Sequence, residues 1–473
     1  MENRILTLAK KAKSIDKLRN ILYESGVIEK QPGCKSTSFA TENAAEIAVE
    51  IAVENAEETF KGLNILILNT PCNGFGDLIF ALKLSKILQH YFSVNVKIAT
   101  TLADSLIRIG DIDNVYKLAT EFSAPESNKK MSQCRRYTTL KIFDPFTGNP
   151  IDTSNFDLFF DAPLMADYEP SLSNVKKVVP TANKFNTFFF SEYNDNLNKG
   201  FDFNMGIGGK RNGMLFLPKP IDIVAKDFIK NILNIYTKFC LIYIADIKKW
   251  EKCMFSFIGM ILEKYRFRKF TIICPKFTIS AINKNIKKIY PFFSNITVIE
   301  KKGGNQIQET QFQDLNKNNK NNKKTLIIRG DILPVHNKVI LTLMKYSVPD
   351  ILLTGDQSIT DMLMISSRKN IFYQIVDWKR NFAKELAKIM PQKYLQKMST
   401  SCGTMKALKY HGNYSKFVKE WNFMKKSGKK LQAILTVAKM LKDGDPFIKK
   451  YTDIVNNSKT LNSALNKLTI NSR

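Results

Sequence analysis

Asp77 stands at the mouth of a glycine turn, Asn73-Gly-Phe-Gly-Asp77, just after the apolar run Leu63-Asn-Ile-Leu-Ile-Leu68. A carboxylate there can act as a general base and take a proton from an attacking hydroxyl. The plainer role for it is a helix cap. Gly74 and Gly76 permit a tight turn and close backbone approach, so the N–H groups of the following helix can face an anion or a sugar hydroxyl, with Asn73 beside them. A second turn of this kind lies in Leu352-Leu-Thr-Gly-Asp-Gln-Ser-Ile-Thr-Asp361. Thr354 ends a strand, Gly355 turns the chain, and Asp356, Gln357 and Ser358 open a helix that carries Asp361. Backbone N–H groups at such a start bind phosphate, and the helix dipole favours the negative charge. Capping by Asp356 or Ser358 stands equally open. In Asp246-Ile-Lys-Lys-Trp-Glu251, Lys248 and Lys249 follow a strand, where α/β proteins hold their ligands. Either could neutralise a diphosphate, or the two could be solvated beside a core Trp250. Arg329, ending its own strand, is a candidate of the same kind.

The elements that must position these residues alternate. The run at 63–68 reads as a strand, and Leu78, Ile79, Leu82 and Ile87 fall near helical spacing. Strands follow at 94–100, 115–118 and 156–161. Gly200 to Gly213, rich in glycine and basic residues, with Pro218 and Pro220 beyond it, reads as an interdomain linker. A second series has strands at 239–245, 270–274, 296–299, 325–329, 350–354 and 371–375. Helices are expected at 250–265, 282–289, 336–346, after Gly355, at 382–389 and, broken near Gly428, at 414–441. Lys301 to Lys324, rich in Asn, Gln and Lys, reads as a surface loop. Strands alternating with helices imply parallel sheets. The expected fold is therefore α/β, with two doubly wound Rossmann-like domains facing a cleft. Its parts are a helical N-terminal extension (1–60, including a duplication in Ala45–Glu54), an acceptor domain (61–215), a nucleotide-sugar domain (216–398) and a helical C-terminal extension (399–473).

The chain has 473 residues, room for roughly two to four domains. It carries 72 Lys+Arg against 43 Asp+Glu, a formal net charge of +29. That excess suits an anionic partner such as a phosphate-bearing substrate or an anionic membrane surface. Scattered lysines amid abundant asparagine point instead to codon bias as the plainer reading. No RNA-recognition, zinc-finger or helix-turn-helix pattern points to specific nucleic acid. The seven cysteines (34, 72, 134, 240, 253, 274 and 402) form no C-x-x-C pair, which fits reduced thiols. His90, His336 and His411 are too dispersed for a metal cluster. The D-x-D pairs Asp111/Asp113 and Asp443/Asp445 sit in turn-like contexts, so no metal or other cofactor is expected. No secretory h-region and no apolar run of the ~20 residues needed to span a bilayer is present. A cytoplasmic protein is expected, with peripheral membrane contact as its one membrane option.

Together these residues resemble the GT-B glycosyltransferases, and within them the heptosyltransferase-like group, glycosyltransferase family 9, from about Leu63 to Pro391. Asn73-Gly-Phe-Gly-Asp-Leu-Ile-Phe-Ala-Leu82 is similar to that family's glycine-Asp turn, whose Asp, matching Asp77, serves as base on the acceptor. Phe156–Asp161 is similar to a later strand of the same domain. Lys248–Phe257 resembles its Lys/Arg-Trp-Pro run, whose basic residue contacts donor phosphate. Asp350–Leu363 resembles its donor motif, an Asp-Thr-Gly with a His three residues later. The chain keeps Thr354 and Gly355 of that motif. Leu353 stands in place of the Asp, Ser358 in place of the His, and Glu251 in place of the Pro after Trp250. The resemblance implies a metal-independent, inverting transfer of a sugar from a nucleotide-diphosphate sugar to a hydroxyl on a glycan, lipid-linked or protein acceptor. Heptose as the donor sugar is not carried over. An inactive GT-B scaffold that binds a partner is the alternative, and a nucleotide-sugar epimerase a third reading.

Overall fold

The computed structural model describes residues 60–442 apart from 72–74, 111–112, 123–139, 165–168, 185, 194–199, 209–210, 219, 303–305, 314–323, 366–368, 377–378, 390–391, 401–402 and 412–422. The expected N-terminal extension, Asn73, Gly74, Asp111 and the Asp443/Asp445 pair lie outside the described residues. The chain divides into two compact units. Unit 1 holds Met1–Ile107, Asp111–Pro218 and Glu420–Arg473, and unit 2 holds Arg108–Gly110 and Lys219–Lys419.

Unit 1 is built on a six-stranded sheet in the order β4-β3-β2-β1-β5-β6. Its strands are β1 (Asn64–Asn69), β2 (Asn95–Thr100), β3 (Val115–Ala119), β4 (Lys141–Phe143), β5 (Leu158–Leu164) and β6 (Thr187–Ser191). All neighbours run parallel except the β3–β4 pair. A parallel sheet is covered on both faces, so its strands need no polar alternation. That is why β5 is buried at every position and β1 at all but its first. Helix α1 (Gly76–Phe92) follows β1 and buries Leu78, Leu82, Leu88 and Phe92. It stops at Ser93, whose left-handed conformation (φ 48) lets its N–H reach back to the Gln89 carbonyl. Helices α2 (Ala103–Ile109) and α3 (Leu172–Val178) complete the crossovers.

The stretch from Gly200 to Gly213 does not behave as a free linker. Phe203, Met205 and Met214 are buried, and Phe203 bridges β6 at Phe190 with the two rings stacked at 4.2 Å. Its glycines serve a local fold-back in which Gly206 bridges Gly213. The last described helix of unit 1 (Phe423–Lys442) buries Phe423, Leu431, Ile434 and Leu435. It passes through Gly428 without a break. Gly428 is buried on the packed face, beside Ser427, whose hydroxyl donates to the Asn212 carbonyl at 3.2 Å. The helix continues through it despite glycine's low helix propensity. Farther along, Lys442 pairs with Asp157 at 3.2 Å.

Unit 2 is built on a seven-stranded sheet in the order β10-β9-β11-β8-β7-β12-β13. The strands are β7 (Lys238–Tyr243), β8 (Lys269–Ile273), β9 (Asn295–Lys301), β10 (Ile307–Gln313), β11 (Thr325–Arg329), β12 (Asp350–Leu353) and β13 (Asn370–Tyr373). All pairs are parallel except β9–β10. Helix α4 (Lys226–Asn231) precedes the sheet. Helices α5 (Trp250–Lys264), α6 (Ile279–Lys284), α7 (Asn337–Tyr346), α8 (Asp356–Ile365) and α9 (Arg380–Ile389) follow its strands. One core of Ile242, Phe257, Ile258, Ile272, Ile328 and Leu352 fills the space between sheet and helices.

Two expectations are corrected in unit 2. The polar segment 301–324 contains strand β10, which antiparallel pairing from Ile307↔Lys301 to Gln313↔Asn295 ties to β9. An edge strand with no fully buried face carries no apolar alternation, so composition conceals it. The expected helical extension from 399 overlaps a hairpin, β14 (Gln392–Thr400) with β15 (Gly403–His411), paired from Gln392↔His411 to Thr400↔Gly403. Thr400, Thr404, Tyr394 and Tyr410 favour strand, and a nine-residue ladder satisfies the backbone of both segments. The helix Phe423–Lys442, α10, comes after it. No helix among the described residues is long and apolar enough to cross a membrane.

Candidate functional site

In an open α/β sheet, ligands bind beyond the carboxyl ends of the strands, where the strand order reverses. In unit 1 that point lies between β1 and β5, and in unit 2 between β7 and β12. The sequence candidates among the described residues lie on the elements that leave these points, with one exception.

At the unit 1 point the carboxyl end of β1 is held by Asn69, which is fully buried. Its Nδ2 donates to the carbonyls of Asp77 at 3.2 Å and Ala162 at 3.1 Å. Its Oδ1 accepts from the Thr100 hydroxyl at 2.9 Å. One amide thus laces β1, β2, β5 and the first turn of α1. Asp77 is half-buried in that first turn. The N-cap position belongs to Phe75, which makes no side-chain capping bond, so Asp77 is not the N-cap. Gly76 is exposed, and a Cβ placed there would meet nothing within 4 Å. The turn therefore leaves open space over the helix start.

At the unit 2 point Gln374 plays the part that Asn69 plays in unit 1. Its Oε1 accepts from the Ala245 N–H at 2.8 Å, and its Nε2 donates to the Ala245 carbonyl at 3.2 Å. Its own N–H donates to the Leu353 carbonyl at 2.8 Å, and the Thr354 hydroxyl donates to its carbonyl at 3.4 Å. The ends of β7, β12 and β13 are thereby fixed to one another. Gly355 follows with φ +76, a left-handed conformation that glycine adopts without strain, and the space over its Cα is open.

Helix α8 then starts at Asp356, so Gly355 rather than Asp356 or Ser358 precedes the first helical residue. Asp356, Gln357, Ser358 and Asp361 are all buried. The Asp356 carboxylate pairs with Lys379 at 2.8 Å and accepts from the Tyr373 hydroxyl at 3.4 Å. Among the described residues nothing bonds the Ser358 hydroxyl, although Ser358 is only 8% exposed in the first turn of α8. Farther along α8, the Asp361 charge and burial together push the Tyr243 phenol above its usual range, burial contributing more.

Lys248 and Lys249 are exposed beyond the end of β7. Lys249 has φ +69 and occupies the N-cap position of α5 without a side-chain capping bond. A lysine in the left-handed region costs about 1–2 kcal/mol, and such strain collects at ligand sites. Trp250 packs edge-on against Phe277 at 5.1 Å and anchors the turn.

Arg329 is the exception. Its Nε and Nη2 grip Asp331 at 2.7 Å each, and its Nη1 donates to the Leu233 carbonyl at 2.7 Å. It ends β11, three strands from β12, or about 14 Å at ordinary strand spacing. The structure keeps it in a buried ion pair away from the switch point. A depression of about 570 Å³ lined by Ile223, Lys345, Met364 and Ile365 touches the opposite end of α8, about 15 Å from its start by helical rise, and is not this site.

Asn69, Gln374, Tyr373 and Lys379 are the residues that sequence reading missed. A polar residue closing an apolar strand, as Asn69 closes β1 and Gln374 follows β13, was the available signal. No local pattern marks Lys379. Among the described residues no group of three or more His, Cys, Asp or Glu is placed to hold a metal ion. Neither a scan against protein-family models nor a search of curated proteins finds a match for this sequence.

Proposed function

We propose that the chain is a GT-B glycosyltransferase that moves a sugar from a nucleotide-diphosphate sugar to a hydroxyl acceptor without a metal. The observation that carries this reading is the start of α8. It joins an open left-handed Gly355, a hydroxyl without a partner among the described residues on Ser358, and a helix dipole directed at whatever lies beyond it. Such a place suits phosphate oxygens. In this reading unit 2 is the donor domain. Thr354, Gly355, Asp356, Gln357 and Ser358 hold the diphosphate, Asp361 lies behind them, and Lys248 or Lys249 neutralises it from the end of β7. Unit 1 is the acceptor domain. Asp77, carried by the turn that Asn69 fixes, takes the acceptor proton as the oxygen attacks the anomeric carbon. The bond to the nucleotide diphosphate breaks, and its negative charge develops against the α8 dipole and the lysines. A single displacement inverts the anomeric centre. The contact set is cytoplasmic, with a glycan, lipid-linked or protein acceptor, and the +29 charge is compatible with approach to an anionic membrane.

A second reading has its own observation. Leu353 and Ser358 replace the Asp and His of the donor motif, and Lys379 already engages the Asp356 carboxylate. A catalytically silent scaffold would carry such changes. Assaying the full chain against a panel of nucleotide sugars and hydroxyl acceptors, with Asp77→Asn beside it, separates the two. The enzyme reading expects product of inverted configuration from the wild type and none from Asp77→Asn, with donor binding kept. Transfer by Asp77→Asn at the wild-type rate would remove Asp77 as the base. No transfer by the wild type across the panel would favour the scaffold.

A further inference from the structure

The Asp356–Lys379 pair does something in the site that neither the donor motif nor ordinary capping accounts for. Both side chains are at least nine-tenths buried, and their charged atoms lie 2.8 Å apart at the first helical residue of α8. That is the point where the dipole of a ten-residue helix most favours an anion. In the structure the anion there is the protein's own carboxylate, steadied by the Tyr373 hydroxyl at 3.4 Å. Two residues on, within the same turn, Ser358 is 8% exposed and its hydroxyl has no partner among the described residues. The space over Gly355 is open. The helix start thus holds a carboxylate and a lysine where a phosphate and a lysine would fit, next to a hydroxyl with nothing to bond.

We propose that the Asp356 carboxylate is a stand-in for the ligand's phosphate, and that Lys379 exchanges from Asp356 to a diphosphate when one binds. This rests on the donor-site reading of unit 2 and deepens it. It names Lys379 as the buried cation of a site that lacks the motif's histidine, and it gives Asp356 two opposed parts. The Asp356 backbone N–H belongs to the anion cradle, while its side chain competes with the ligand for Lys379 and for the dipole. Lys379 lies in the same unit as Gly355 and Ser358 and close in sequence to the Gln374 clamp, tied to Val376, whose carbonyl accepts its N–H at 3.0 Å. Its backbone is therefore held while the ammonium changes partner.

The opposed signs make the exchange testable. The probe is inorganic pyrophosphate, titrated calorimetrically into the full chain at fixed salt, with nucleoside diphosphates run in parallel. Lys379→Met is expected to bind pyrophosphate at least about tenfold more weakly, the scale of one lost charge-assisted hydrogen bond. Asp356→Asn is expected to bind several-fold more tightly, because the competitor's charge is gone while the backbone cradle remains. Lys379→Met alone strands a buried carboxylate and could fail to fold. The double variant Asp356→Asn/Lys379→Met removes both charges, and it is expected to fold and to bind as weakly as the lysine variant. Equal affinity across wild type, Asp356→Asn and the double variant would overturn the exchange while leaving the donor site standing. Weaker binding by Asp356→Asn would overturn it as well, since the carboxylate would then be an ordinary structural partner. If the wild type takes up neither pyrophosphate nor any nucleoside diphosphate, the donor-site reading falls and the exchange with it.

Discussion

Replacing Asn69 by Ala tests whether one buried amide holds the unit 1 switch point together. The side chain is fully buried and makes three hydrogen bonds, to the Asp77 and Ala162 carbonyls and from the Thr100 hydroxyl. Alanine leaves those partners in place and dry. Thr100 keeps the N–H of Leu102, which its oxygen accepts at 3.2 Å, but its own proton loses its acceptor. At about 1 kcal/mol for each bond lost in this way, the unit should lose about 3 kcal/mol. For a unit of this size that lowers its melting temperature by roughly 6–12 °C. Asn69→Asp should be no better, because it keeps an acceptor for Thr100, loses both donors and buries a charge. Thermal scanning gives the size, and hydrogen exchange at β1 and β5 amides assigns the loss to unit 1. A loss below about 1 kcal/mol for Asn69→Ala, or one spread evenly over both units, would refute the lacing argument.

Three further outcomes follow from the same reasoning. Lys249→Gly relieves the left-handed backbone and should stabilise unit 2 by about 1 kcal/mol in urea unfolding, while weakening pyrophosphate binding if Lys249 meets the phosphate; a variant that is less stable would contradict the strain. Arg329→Met leaves Asp331 buried without its partner and should cost about 3–5 kcal/mol in the same measurement, yet the folded fraction should bind pyrophosphate like the wild type. Lys369 is buried, donates to the oxygens of Ser347 and Val348, and burial pulls its ammonium down to about 8 from 10.5. Its folded value lies below its unfolded one, so the unfolded chain binds more protons between those values and stability should rise with pH there. The half-buried Cys253 and buried Cys274 thiols, pushed up to about 12 by desolvation, act in the opposite direction above their ordinary range. The readout is therefore the difference between wild type and Lys369→Met. That difference should grow from pH 8 to 10.5, and a flat difference would refute it.

Much of the framework was legible because parallel strands buried on both faces write themselves as apolar runs. The strand expected at 325–329 matches β11, and that expected at 350–354 overruns β12 by one residue. The two glycine turns were legible for a related reason, since a turn between strand and helix needs residues without side chains or with short polar ones. Strands with no buried face were not legible. β10, Ile-Gln-Glu-Thr-Gln-Phe-Gln, alternates only between exposed and half-buried positions. Gly428 misled because low helix propensity argues for a break, whereas the helix Phe423–Lys442 runs through it. The site was half legible. Asp356 and Ser358 advertise themselves by following Gly355, but Lys379 reaches Asp356 only through the sheet, which sets the end of β13 beside the end of β12. Arg329 shows the converse. A cation at a strand's end reads as a ligand group until the strand order places it three strands away and Asp331 takes its guanidinium.

The central claim is that unit 2 binds a nucleoside diphosphate at the start of α8 without a metal. A thermal-shift panel of nucleoside diphosphates and nucleotide sugars on the full chain, with and without chelator, tests it most directly. The account predicts that one nucleotide class raises the melting temperature, that chelator leaves the rise unchanged, and that Ser358→Ala diminishes it. Flat curves across the panel at millimolar ligand, or a rise that chelator abolishes, would contradict it.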